Sequence, residues 1–347
     1  MAEMPGGWGV DPEDRLWSAF YQAVQRFRLL TPWAWMSDRD VFGVVDSKSG
    51  EVGWCCVIGA AGTLKGLILY RGDDGFDTLR RSWTGEMSDD DACFGQNAIA
   101  LVFVDEGELS PDERERIRAS GVSFCGAGEW PTIESQGCDR LPRAPDAGEV
   151  ARMLEALQQV AAVAPRVLQE PSLVGVDRSE RLLVRMQQAG DEPGPWIDRR
   201  RPAPAVPRRE VPEFDIRRAE LLRQRLPGGT EAWECDIFAG CRIVSGEAHE
   251  PYLPVMLMVA EAESGSIVAL EAGRAAGREV WIQEQVLNAF EKAGRRPARL
   301  RIRRSDLADV ITPLAEALGV GVERVGLLKT IERVRSEMAA SVSEGGR

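Results

Sequence analysis

The chain has 347 residues, 44% of them apolar, with 55 acidic against 43 basic side chains and a net charge of -12. At roughly 150 residues per domain this length suggests two domains with ordinary cores, and it excludes collagen-like, coiled-coil and wholly disordered chains. No apolar run approaches the ~18 residues that cross a bilayer, and the first 20 residues lack the basic start and apolar core of a secretion signal, so a soluble cytoplasmic protein with no membrane partner is expected. A single histidine, His249, removes relay chemistries and metal sites that need two imidazoles.

Charge is unevenly divided. Residues 1–150 hold 14 Lys and Arg against 26 Asp and Glu, whereas residues 151–347 hold 29 of each. The acidic first part repels nucleic acid over about a Debye length without excluding a basic face elsewhere. Seven cysteines (55, 56, 93, 125, 138, 235 and 241) include no C-x-x-C pair. Only Cys235 with Cys241 approaches zinc spacing, so reduced core thiols are expected.

Apolar residues at three- and four-residue spacing from Asp11 to Leu30 predict a helix that Pro32 ends. From Val41 to Tyr70 the period shortens, and VFGVVD, EVGWCCVIG and LKGLILY read as a three-stranded antiparallel meander. A turn at Gly72 and Gly75, a short helix over 76–83 and an acidic loop from Ser88 follow. AIALVFVD predicts a strand, Ser110-Pro111 opens a helix, and VSFCGAG reads as a further strand. Residues 148–164 predict a helix that Pro165 stops. Between Asp191 and Pro212, six prolines and five arginines leave little apolar surface, and the stretch reads as an extended tether. The expected division is an acidic α/β domain over 1–170, a Pro/Arg-rich linker over 171–213, a second α/β domain over 214–341 and a disordered tail over 342–347.

Beyond the tether the order is strand, strand, strand, helix, strand, helix, strand, helix. It begins at WECDIFAG (233–240), turns through Glu263-Ser264-Gly265, and continues through RLRIR (299–303) and GVGVERVG to a last helix carrying Leu327, Leu328, Ile331 and Val334. This order resembles that of ribonuclease-H-like domains. Trp233-x-x-Asp236-Ile237 is similar to the first strand of their integrase branch, and Arg304-Ser305-Asp306 to the segment that holds a second aspartate. The resemblance implies a mixed sheet flanked by helices. It also implies a candidate divergent nuclease centre at Asp236, Asp306 and Glu332 (or Glu323), where Mg2+ or Mn2+ would clamp the oxygens of a phosphodiester. Here Leu307-Ala308 run straight into a helix, and neither glutamate sits in a recognisable motif.

Six arginines fall between Arg295 and Arg304, and alternation places Arg299, Arg301 and Arg303 on one strand face as candidate anion ligands. Because 39 of the 43 basic residues are arginine, a solvated face or a docking surface for the acidic half is the better account than a nucleic-acid groove. Asp73, Asp74, Asp77 and Asp89–Asp91 lack the spacing that wraps calcium. Gly59, Gly62 and Gly66 match no phosphate loop, and His249 has no nucleophile motif to serve. Trp33 and Trp35 are expected to pack a corner.

Thr31–Met36, Val41–Asp46, Ser49–Val52 and Tyr70–Gly75, with Pro131–Ser135, Pro212–Ile216, Trp233–Asp236 and Arg296-Pro297, resemble landmarks of a bacterial family built from a pair of domains of unknown function. That resemblance implies the architecture and no activity. The expected function is therefore non-catalytic binding, through a protein partner or through docking of the two domains on each other. A metal-dependent nuclease or nucleic-acid binder is the alternative.

Overall fold

The structure, a computed structural model, describes residues 11–62, 64–84, 96–137, 140–176, 178–188, 194–205, 211–240, 243–246 and 249–344. Most of the chain before Pro207 forms one compact unit and most of the chain from Arg208 another.

In the first unit, helix α1 (Pro12–Leu30) starts where the Asp11 carboxylate accepts the Glu13 N–H at 2.9 Å, and ends at Thr31 in the left-handed region. Its stripe of Trp17, Phe20, Tyr21, Val24 and Phe27 is buried. The meander follows as β1 (Phe42–Val45), β2 (Val52–Ile58) and β3 (Gly66–Arg71). A Cβ on Gly66 would lie 2.1 Å from the Leu101 carbonyl oxygen, so this position in the sheet interior needs glycine. Helix α2 (Gly72–Thr84) springs directly from β3, and Asp73 and Asp74 lie in its first turn. The expected turn and shorter helix at 76–83 are corrected accordingly. Strand β4 (Ala98–Val104) leads to α3 (Pro111–Ala119), whose Ser110 and Glu113 form a reciprocal capping box.

Three expectations fail here. VSFCGAG is not a strand: Gly126 and Gly128 have positive φ, and the strand is β5 (Trp130–Gln136). Helix α4 (Ala147–Gln169) runs through Pro165, because Val160, Val163, Ala164 and Val167 are buried in the same core as the apolar face of α1. Residues 171–213 are not an extended tether. They contain β6 (Arg181–Gln187) and β7 (Trp196–Pro202); Leu182, Leu183 and Val184 are buried, and Asp198 pairs with Arg166 and Arg185. Pro195 and Pro204 lie outside β7, and Pro202 is its last residue. The sheet order is β5-β4-β3-β2-β1-β6-β7, antiparallel throughout except where β6 lies parallel to β1.

In the second unit, α5 (Ile216–Arg225) precedes β8 (Ala232–Ala239). A small hairpin of β9 (Val244–Gly246) and β10 (His249–Tyr252) follows, then β11 (Val255–Glu261) and β12 (Ile267–Gly273). Then come α6 (Arg278–Ala293), β13 (Arg299–Ile302), α7 (Ser305–Leu318, with Pro313 inside it), β14 (Gly321–Arg324) and α8 (Lys329–Glu344). Part of the expected disordered tail is thus helical as far as Glu344; residues 345–347 lie outside the described residues. The five-stranded sheet runs β12-β11-β8-β13-β14, with β11 antiparallel to both neighbours and β8, β13 and β14 parallel. In order along the chain this is 3-2-1-4-5, the ribonuclease-H-like arrangement.

The two faces of this sheet are covered differently. Trp233, Cys235 and Ile237 of β8 join one apolar cluster with residues of α5, α6 and α7. Phe238 and Met258 join another with Leu328, Ile331 and Val334 of α8.

Candidate functional site

Alternation along β8 sends the odd residues of the Trp233-Glu-Cys-Asp236 segment into the larger cluster and Glu234 and Asp236 toward α8. Both carboxylates are nearly inaccessible, at 3% and 1% exposure. An ionised group taken this far from water must be hydrogen-bonded or paired. Glu234 Oε2 accepts the backbone N–H groups of Thr330 and Ile331 at 2.9 and 3.1 Å, satisfying donors at the start of α8 and placing negative charge at the positive end of its dipole. Asp236 accepts the Ile237 N–H at 3.0 Å and Arg303 Nη2 at 3.1 Å. The other arm of the same guanidinium, Nη1, donates to Glu332 of α8 at 2.7 Å. Burial pushes the Asp236 carboxyl up to about 6, against the pull of Arg303, Arg304, the Ile237 N–H and Arg335. Arg335, also on α8, lies over the Phe238 ring at 4.7 Å.

Asp306 goes elsewhere. It lines a cavity with Ile237 and Ile282, on the face of β8 opposite Asp236, where Arg304 Nε and Nη2 donate to it at 3.1 and 2.8 Å and Arg278 Nη2 at 3.2 Å. The consecutive residues Arg303 and Arg304, just beyond β13, therefore serve opposite faces of the sheet. Asp236 and Glu332 come together through Arg303, and Asp306 does not join them. The three carboxylates expected to converge are thus divided, and no group of three or more His, Cys, Asp or Glu side chains able to hold a metal occurs among the described residues.

The arginine row is likewise committed. Arg299 and Arg301 both pair with Glu323, at 3.6 and 3.3 Å, and Arg303 pairs with Asp236 and Glu332. Arg295 pairs with Glu231 at 3.0 Å and with Glu261, and Arg296 Nε donates to the Leu226 carbonyl at 3.2 Å. Each of the three candidate anion ligands thus has a carboxylate partner.

The remaining candidates are quickly placed. Asp77 pairs with Arg80, one turn along α2. Cys55, Cys56 and Cys235 are buried free thiols; burial pushes Cys56 up to about 12 and raises the other two as well. Trp33 packs edge-on to Phe27 and Phe103, and Trp35 Nε1 donates to the Ala164 carbonyl at 3.1 Å, as a corner would. Asp89–Asp91, Cys93, Cys138 and Cys241 lie outside the described residues. Reading the sequence missed Glu234 and the part played by Arg303. The available signal was that Arg303 stands at the end of the fourth strand, where the integrase pattern calls for a carboxylate.

Residues 17–185 match the family model described as a domain of unknown function (DUF7309), and residues 219–339 match a second domain of unknown function (DUF6930). The two matches follow one another along the chain without overlap. Among solved structures, the HTLV-2 integrase catalytic core domain in complex with magnesium is similar at 14% identity, over 32% of this chain and 66% of that one, with a TM-score of 0.21. The assignment of the second unit rests on its strand order rather than on that likeness. No curated protein matches the chain. No helix among the described residues is long and apolar enough to cross a membrane.

Proposed function

We propose that this protein acts by binding, and that its second unit keeps a ribonuclease-H-like sheet without the metal chemistry of that fold. The observation that carries this reading is the Arg303 guanidinium, which bridges Asp236 and Glu332. Two-metal hydrolysis needs carboxylates free to ligate divalent cations about 4 Å apart. Here a fixed positive charge already stands between a first-strand aspartate and a last-helix glutamate, while Glu234 closes the start of α8. The chemistry of the donor set fits an arginine and does not fit Mg2+ or Mn2+. Displacing Arg303 would leave a carboxylate of 1% exposure to be paired again.

Pairing of Arg299 and Arg301 with Glu323 favours a protein partner over nucleic acid, and the buried thiols suit a reducing cytoplasm. Thermal unfolding of the full chain with and without Mn2+ tests the reading. The midpoint is expected to stay unchanged across a metal titration. A saturable rise that disappears in Asp236→Asn would overturn it. A gel shift of mixed-sequence DNA and RNA over a salt series is expected to show no salt-steep complex.

A further inference from the structure

We infer that the cavity on the α6/α7 face of the second unit is a binding site for a small organic cation carried on a ring-sized apolar body. The cavity measures about 170 Å³, comparable with the ~150 Å³ engineered cavity that admits benzene. It lies beside the carboxyl-terminal part of β8, the strand at which the sheet order reverses from β11 and β12 to β13 and β14. Crevices at such reversals are the usual ligand positions of open α/β sheets. Ile237, Ile282, Leu307 and Val310 supply an apolar wall, and three of them are buried to within 1 to 3% of complete exclusion.

The charged groups around the cavity settle the sign of the ligand. Arg278 also lines it, but donates to Asp306 at 3.2 Å and lies 3.7 Å from Glu279. Glu279 and Asp306 stand in the first turns of α6 and α7, so the positive ends of both helices already face a carboxylate. Asp309, an exposed residue of the lining, has no hydrogen bond or ion pair among the described residues. With Arg304, which also donates to Asp306, two arginines face three carboxylates and leave one negative charge in excess over an apolar wall. An ammonium near Asp309 and Glu279, with its hydrocarbon body against Ile282 and Val310, satisfies both. An anion would meet the uncompensated carboxylate instead.

This deepens the binding reading by giving the second unit a ligand chemistry. Its test uses no metal and reads the face opposite Arg303, so either can fail alone. The full chain is titrated with benzylamine, phenylacetate and toluene, followed by ligand-observed NMR and by the thermal midpoint. Benzylamine is expected to saturate with a Kd in the millimolar range, as a fragment of eight heavy atoms should, and phenylacetate to bind more weakly. Asp309→Asn is expected to weaken benzylamine about threefold and to leave toluene unchanged. Val211→Trp, which fills the lining from a partly exposed position, is expected to abolish binding of both. Equal binding of phenylacetate and benzylamine, binding unaffected by Val211→Trp, or no saturation by benzylamine overturns the inference.

Discussion

The Glu234 carboxylate on β8 receives the backbone N–H of Thr330 at 2.9 Å, so an acidic residue of the first strand of the sheet caps the last helix of the chain across 96 positions of sequence. Glu234→Ala removes that acceptor and leaves buried donors at the start of α8 without a partner. A loss of about 2–4 kcal/mol is expected in urea unfolding of the second unit, with Glu234→Gln, which keeps one acceptor oxygen, losing less. An unchanged midpoint for the alanine variant would show that the carboxylate does not hold α8.

Asp236 gives a pH signature of defined sign. Its carboxyl is raised to about 6 in the folded chain, above the ordinary aspartate value, so between roughly pH 4 and 6 the folded state binds the proton more tightly than the unfolded state. The resulting stability is fully present below the unfolded value and is lost as pH rises through 6. Relative to Asp236→Asn, the native chain should therefore gain stability as pH falls from 7 toward 4, by up to about 3 kcal/mol, and the difference should flatten below pH 4. Urea midpoints of both chains at half-unit pH steps measure it.

Glu149 should behave in the opposite way. Burial raises its carboxyl, but hydrogen bonds from Ser135, the Asp146 N–H, Arg143 and Arg71 outweigh burial and hold it below the ordinary glutamate value. Its contribution is present above the unfolded value and is lost as pH falls through the folded one. Glu149→Ala leaves Arg71 beside Asn97 and Ser135 with its charge uncompensated, and is expected to cost about 3 kcal/mol or more at neutral pH. The gap between the native chain and Glu149→Gln should narrow in acid unfolding below about pH 4.

The corrected extent of the first unit predicts how it can be cut. A fragment ending at residue 205 retains β6 and β7, whereas one ending at residue 170 exposes the outer edge of β1 and removes Leu182 and Val184 from the cluster around Trp54 and Phe76. The longer fragment is expected to be soluble and to unfold cooperatively by circular dichroism. The shorter one should aggregate through its bare edge.

Elements with an unmixed pattern were legible in the sequence: α1, the meander and the alternation of five strands and three helices in the second unit. The strands missed were those whose signal is mixed. β5 carries Pro131 and Glu134, tolerable because it is an edge strand, while VSFCGAG looks extended until its glycines adopt positive φ. β6 and β7 hide in a stretch with few apolar residues: Leu182, Leu183 and Val184 are buried, while Arg185 of β6 pairs with Asp198 directly opposite it on β7. At the site, the resemblance pointed to Asp236 and Glu332, and the sequence could not show that Arg303 bridges them, since the pairing joins residues 67 and 29 positions apart. Asp306 was misassigned because its segment leaves the end of β13 on the other side of the sheet.

The parallel pairing of β1 with β6 also bears on biosynthesis. Gly43 meets Val184, roughly 140 residues later in the chain, so a ribosome must release most of the first unit before β1 acquires its second neighbour. Until then the nascent meander carries an open flank, the kind of surface that holding chaperones recognise.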